Sequence, residues 1–152
     1  MANQFESIAE HRTTMRTRAR WHHDYLRDMV RGYLECAVWC GHVYESEEDE
    51  REGRDSCSMD SAGYSIDDCP YSTVKAAVRD CRDFLELTAG ISHPWWTAEQ
   101  FGHDFYLTRC RHGAGFWDRG QGETGERLTD LCRGYGSADL FADREAGRLY
   151  WY

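Results

Sequence analysis

Between Glu45 and Asp68 the chain carries ten acids against two arginines, a local charge of −8 within a total of −9. Its first part, Glu45-Ser-Glu-Glu-Asp-Glu-Arg-Glu-Gly-Arg-Asp-Ser, has no apolar period and repels itself. Such a run cannot enter a core, so the apolar residues on either side must meet across it. It predicts a long solvated loop over residues 45–65. The whole chain of 152 residues, 1–152, suits one domain with a single core.

The flanks read as helices. From Asp24, a capping residue, Leu26, Met29, Val30, Tyr33, Leu34, Ala37 and Val38 recur at three- and four-residue steps. A second helix starts at Pro70 with Ser72 or Thr73 as cap, turns Val74, Ala77, Val78, Cys81, Phe84 and Leu85 inward, and closes at Gly90. Trp95 and Trp96 then wedge between elements. Thr97-Ala-Glu-Gln has the pattern of a capping box and opens a third helix, ended by Gly113-Ala-Gly. A fourth runs from Glu123 to Tyr135. The tail predicts a hairpin, Ala138 to Ala142 against Arg148 to Tyr152, with the turn at Arg144 to Gly147. The fold class expected is α+β, helix-rich, with about four helices and a small C-terminal antiparallel β-hairpin.

Charge and cysteine usage narrow the function. Residues 1–20 form a basic arm; from Glu10 to Arg31 there are six arginines and three acids. The acidic total argues against direct nucleic-acid binding, which depends on neutralising phosphates. It suits a basic protein surface instead. No apolar run reaches the roughly 18 residues of a membrane span, and the N-terminus has no signal-type apolar core, so a cytoplasmic protein is expected. Seven cysteines with no CxxC pair predict buried free thiols rather than disulfides. Cys36, Cys40 and His42 lie close in sequence but lack a fourth ligand, and the acidic run does not match an EF-hand, so no metal or other cofactor is expected.

Residues 101–120 mix His103, Asp104, Arg109, Arg111, His112, Asp118 and Arg119 with aromatic rings and glycines. The set can serve as a self-satisfying polar network that fixes the glycine turn. It can bind an anion, with Arg109, Arg111 and Arg119 supplying charge and Trp117 a stacking face. As an enzyme it would use His103, Asp104, Arg109, His112 and Asp118 as acid–base groups or ligands. The spacing fits no zinc motif and no nucleophile elbow, so the structural network leads over catalysis. Trp117 and Arg119 also suit an interface anchor, although a tryptophan in this setting is first expected to be buried.

His103-Asp-Phe-Tyr-Leu-Thr-Arg, His112-Gly-Ala-Gly-Phe-Trp-Asp-Arg-Gly and Gly122-Glu-Thr-Gly-Glu-Arg-Leu-Thr together resemble a group of small bacteriophage proteins without assigned activity. Residues 99–136 carry the resemblance, through an HDFxLTRxxHGAGFWDRGxGExGxxLT core. At two of the variable positions the chain departs from what is usual in the group: Tyr106 stands where tryptophan is usual and Gln121 where an apolar residue is usual. The resemblance implies a phage or mobile-element origin and supplies no catalytic residues. With the acidic run, it leads to the expectation of an inhibitor acting in the host cytoplasm. Its partner would be a host protein or ribonucleoprotein with a basic groove, such as a restriction or CRISPR-like effector. Glu45, Glu47, Glu48, Asp49, Glu50, Glu52 and Asp55 would mimic phosphates, with Trp117 and Arg119 adding contact. The alternatives are a nucleotide-binding or metal-dependent enzyme at 103–119, and a phage structural or housekeeping protein.

Overall fold

The computed structural model describes residues 23–152, which form five α-helices and two small two-stranded antiparallel sheets. In chain order these are α1 (23–40), β1 (His42–Val43), α2 (Glu47–Glu52), β2 (Cys57–Ser58), α3 (Tyr71–Leu87), α4 (Ala98–Arg109), α5 (Gly122–Cys132), β3 (Leu140–Asp143) and β4 (Arg148–Trp151). Single 3₁₀ turns lie at Ile66–Asp68 and Phe116–Asp118. The molecule is α+β and helix-rich with a C-terminal antiparallel hairpin, as the sequence predicts. The basic arm expected at residues 1–20 lies outside the described residues.

α4 is the central element. Phe101, Gly102, Asp104, Phe105, Tyr106, Leu107 and Arg109 are all buried, so neighbours cover it on nearly every face. α1 lies against it backbone to backbone. A Cβ added at Gly102 would sit 1.9 Å from the Met29 carbonyl oxygen, and one at Gly32 would sit 2.0 Å from that of Glu99. α3 contributes Phe84, whose ring stacks on Phe105 at 4.1 Å and 6°. Phe101 and Phe116 pack on the same ring. The β3–β4 hairpin pairs Leu140 with Trp151 and Asp143 with Arg148. Thr73 hydrogen-bonds it to α3 twice: Thr73 Oγ1 donates to the Leu149 carbonyl and the Thr73 carbonyl accepts from Trp151 Nε1, both at 2.9 Å.

Several local expectations are corrected. Residues 45–65 are not one solvated loop. Ser46 caps α2 by accepting from the Asp49 N–H, four acids in the first turn face the helix's positive end, and Gly53 closes it in a left-handed conformation. β1 pairs with β2, His42 opposite Ser58, so the acidic run is an excursion held at its base. Self-repulsion is offset by the cap, the dipole and the pairs Arg54 makes with Asp49 and Glu52. Asp24 lies within α1 rather than before it. Pro70 is the N-cap of α3 without a side-chain bond, and Thr73 turns inward to the hairpin instead of capping. α3 stops at Leu87, before Gly90. Trp96 is buried as a wedge, whereas Trp95 is exposed.

All seven cysteines are free. Cys36, Cys69, Cys81 and Cys132 are buried, Cys40 and Cys110 half-buried, and Cys57 exposed. Cys36 and Cys40 share one face of α1 with their sulfurs 3.9 Å apart. Among the described residues no helix is long and apolar enough to cross a membrane.

Candidate functional site

The polar residues that the sequence concentrates in 101–120 are pulled in different directions by the elements that carry them. Asp104, fully buried on α4, collects four donors: Trp96 Nε1 at 2.7 Å, Gln100 Nε2 at 2.9 Å, and Arg119 Nε and Nη2 at 2.9 and 2.5 Å. The bidentate fork explains how a carboxylate remains inside the protein, and the pairing raises the Arg119 pKa above its ordinary value. Thr97 caps α4 by accepting from the Gln100 N–H. The reciprocal half of the expected capping box is replaced by the Gln100 bond to Asp104.

Arg109, a turn and a half further on, serves a second network. Its Nη1 donates to Tyr33 Oη at 2.8 Å and to Asp80 Oδ2 at 2.7 Å, and its Nε to the Gly136 carbonyl at 2.9 Å. The guanidinium also lies 5.7 Å from the Phe105 ring centroid and 5.5 Å from that of Tyr135. Burial disfavours its charge, but Tyr33 and the Asp80 carboxylate outweigh that and raise its pKa. Arg109 thus joins α1, α3, α4 and the segment after α5. Sequence reasoning missed its partners Tyr33 and Asp80, which lie on other helices with no local motif to mark them.

The remaining members separate as well. Asp118 Oδ1 accepts from the Gly115 N–H at 2.9 Å and so closes the 3₁₀ turn. That turn folds back on α4, where Thr108 Oγ1 accepts from the Phe116 N–H at 3.1 Å. His103 faces α1, its ring 6.3 Å from Trp39, with Nδ1 buried and without a hydrogen-bond partner among the described residues. His112 is exposed beside Tyr106, with ring centroids 6.1 Å apart. Among the described residues, no three His, Cys, Asp or Glu side chains gather as a ligand set. His103, Asp104, Arg109, His112 and Asp118 do not converge on one reacting position.

Burial lowers the pKa of both His103 and His93 below 6.5, with Asp104 opposing and Arg119 adding to the shift at His103. His93 is stacked on Phe101 at 4.2 Å. Above the unfolded value both imidazoles are neutral whether or not the chain is folded, and stability is full. As pH falls through the histidine range, the unfolded chain takes up protons that the folded one resists, and stability declines. Urea midpoints at about pH 7.5 and 5.5 should show this drop, and His103→Gln should reduce it. An equal drop in that variant would remove His103 from the account.

A cleft of about 470 Å³ lies between the C-terminal end of α4 and the end of α5, lined by Arg111, His112, Trp117, Arg133 and Tyr135 with Arg109 at its base. Trp117 is 53% exposed, so it is not the buried ring the sequence suggested. Arg119, turned onto Asp104, does not share the tip with it. Arg133 and Tyr135 follow the last inward residue of α5 and carry no sequence signal.

Arg111 holds the turn that shapes this cleft. Its N–H bonds the Thr108 carbonyl and that of His112 bonds the Leu107 carbonyl, a Schellman closure of α4 with Arg111 at the left-handed position, φ 58°. Glycine is the usual occupant there, and an L side chain destabilises the turn by about 1 kcal/mol.

The acidic excursion is a second exposed polar feature. Glu45, Glu47, Glu48, Glu50, Glu52 and Asp55 are exposed, while Asp49 is half-buried against Arg54 at 2.9 Å.

The fold and its surface define a small helix-rich α+β domain with an ordered acidic excursion and a cationic, aromatic cleft. Compared with protein-family models, with curated proteins and with solved structures, the chain matches none.

Proposed function

We propose that the chain is a small phage-type binding protein that docks its acidic excursion into a basic groove of a host nucleic-acid-handling complex. The complex would be a restriction or CRISPR-like effector, and docking would inhibit it by occupying the place of phosphates. The observation that carries this reading is the order of α2. Its cap, its left-handed glycine stop and the β1–β2 clamp hold Glu47, Glu48 and Glu50 exposed on a preformed helix. A preorganised carboxylate array avoids the ordering entropy that a flexible acidic loop would lose on binding. The dispersal of His103, Asp104, Arg109, His112 and Asp118 favours binding over chemistry in the 101–120 stretch. The phage origin rests on the resemblance over residues 99–136.

The test is affinity capture from host lysate with the wild type and with Glu47, Glu48, Asp49 and Glu50 all replaced by serine. The replacement removes four negative charges and takes the net charge from −9 to −5. Wild type should retain a partner that elutes as salt rises from about 0.15 to 0.5 M, because the contact is electrostatic. The variant should retain about tenfold less, with an unchanged circular-dichroism spectrum. Equal capture by the two proteins would overturn the acidic docking mode.

A further inference from the structure

We propose that the cleft between the C-terminal end of α4 and the end of α5 binds a small phosphorylated aromatic ligand of the mononucleotide class. Its lining holds three arginines, Arg109, Arg111 and Arg133, and no carboxylate, in a protein whose net charge is −9. A concentration of cations against that background marks a place suited to an anion. The volume of about 470 Å³ falls in the range of small-ligand sites. A long polyanion is disfavoured, because beyond the cleft it would meet an acidic protein.

The lining also sorts by which groups are free. Thr108 Oγ1 already accepts from Phe116, Thr129 Oγ1 donates to the Gly125 carbonyl, and Tyr135 Oη is bonded to Asp83. Arg109 is held by Asp80 and Tyr33. Arg133 pairs with Asp130 at 3.1 Å, but both side chains are largely exposed, so the pair is weak and exchangeable. Among the described residues Arg111 makes no ion pair. Its guanidinium is the natural bidentate partner for a phosphate, with Arg133 and His112 beside it. Exposed Trp117 supplies a flat face on which a base can stack.

The backbone points the same way. An arginine occupies the left-handed position of the Schellman turn, where glycine would be relaxed. Strain held at an exposed turn beside a cleft is intelligible when the side chain itself has work there. An anion-binding guanidinium is such a use.

The experiment titrates the full-length protein with AMP, GMP, CMP and UMP, and separately with adenosine and inorganic phosphate, following tryptophan fluorescence and, in parallel, calorimetry. At least one nucleotide should bind saturably, and adenosine and phosphate each about tenfold more weakly, the loss expected for removing a charged hydrogen bond or a stacked base. Arg111→Gly should bind that nucleotide about tenfold more weakly while melting about 3 °C higher, since it relaxes the turn. Trp117→Phe should bind with the fluorescence response lost. Failure of all four nucleotides to bind up to about 10 mM, a range that spans ordinary small-ligand affinities, would overturn the proposal. So would unchanged affinity in Arg111→Gly. Phosphate binding as tightly as the nucleotide would overturn the aromatic half of the assignment. None of these outcomes depends on the acidic excursion, so failure here and failure of the docking reading are separable.

Discussion

Asp104→Ala is expected to lower stability by about 3 kcal/mol, the range for removing one partner of a buried ion pair after a discount for the half-open side. The carboxylate is fully buried and receives four N–H donors from Trp96, Gln100 and Arg119. Arg119 can recover part of its solvation, because its side chain is 35% exposed. Trp96 Nε1–H cannot, since that ring is buried, and an orphaned buried donor costs roughly 1–3 kcal/mol. The shift in melting temperature should be about 9 °C for a chain of this size. Asp104→Asn separates charge from volume. It keeps the shape but turns an NH₂ toward a set made only of donors, so it should be nearly as destabilising. Urea unfolding of Asp104→Asn, Asp104→Ala, Arg119→Met and the Asp104→Ala/Arg119→Met double variant measures these losses and completes a double-mutant cycle, whose coupling should reach about 1.5 kcal/mol or more. An Asn variant as stable as wild type would show that the carboxylate network does not hold this core.

This residue also shows what the sequence could and could not tell. The stripes of α1, α3 and α5 and the turn of the hairpin were readable because they are local, with helical or alternating period set by one face meeting the core. α4 was harder to read. Covered on nearly every face, it has no clean polar side, and the sequence shows that polar residues such as Asp104 and Arg109 are dense there but not where each one points. Their partners Trp96, Asp80 and Tyr33 come from other segments, and only the packing of α1, α3 and α4 brings them together. The acidic run hides its helix from sequence for a related reason. Periodicity counts apolar residues, and α2 contains none to count. Its signals were the Ser46 cap and the Gly53 stop, which do not need an apolar face. The cleft joins both difficulties: the 101–120 stretch marks His112 and Trp117, whereas Arg133 and Tyr135 enter only because α5 ends beside α4.

Gly102→Ala should destabilise the protein by about 3 kcal/mol, the upper part of the usual range for overpacking. The added methyl would lie 1.9 Å from the Met29 carbonyl oxygen and 3.0 Å from the Tyr33 amide nitrogen. Both neighbours are backbone atoms of α1, so no rotamer change can relieve the contact and the two helices must move apart. Separation would loosen Tyr33 against Phe105 and Tyr106, whose centroids lie 5.5 and 5.2 Å away, and lengthen the Tyr33 bond to Arg109. The gain in helix propensity from glycine to alanine, about 1 kcal/mol, acts in the opposite direction and is smaller. Gly32→Ala meets the Glu99 carbonyl oxygen at 2.0 Å on the same crossing and should behave alike. Because one displacement of α1 relieves both clashes, the double variant should lose less than the sum of the two single losses. Urea unfolding, with near-ultraviolet circular dichroism to report aromatic packing, measures all three. A Gly102→Ala protein as stable as wild type, with its aromatic spectrum intact, would mean that α1 and α4 are not in backbone contact. The placement of the whole 101–120 stretch would then have to be redrawn.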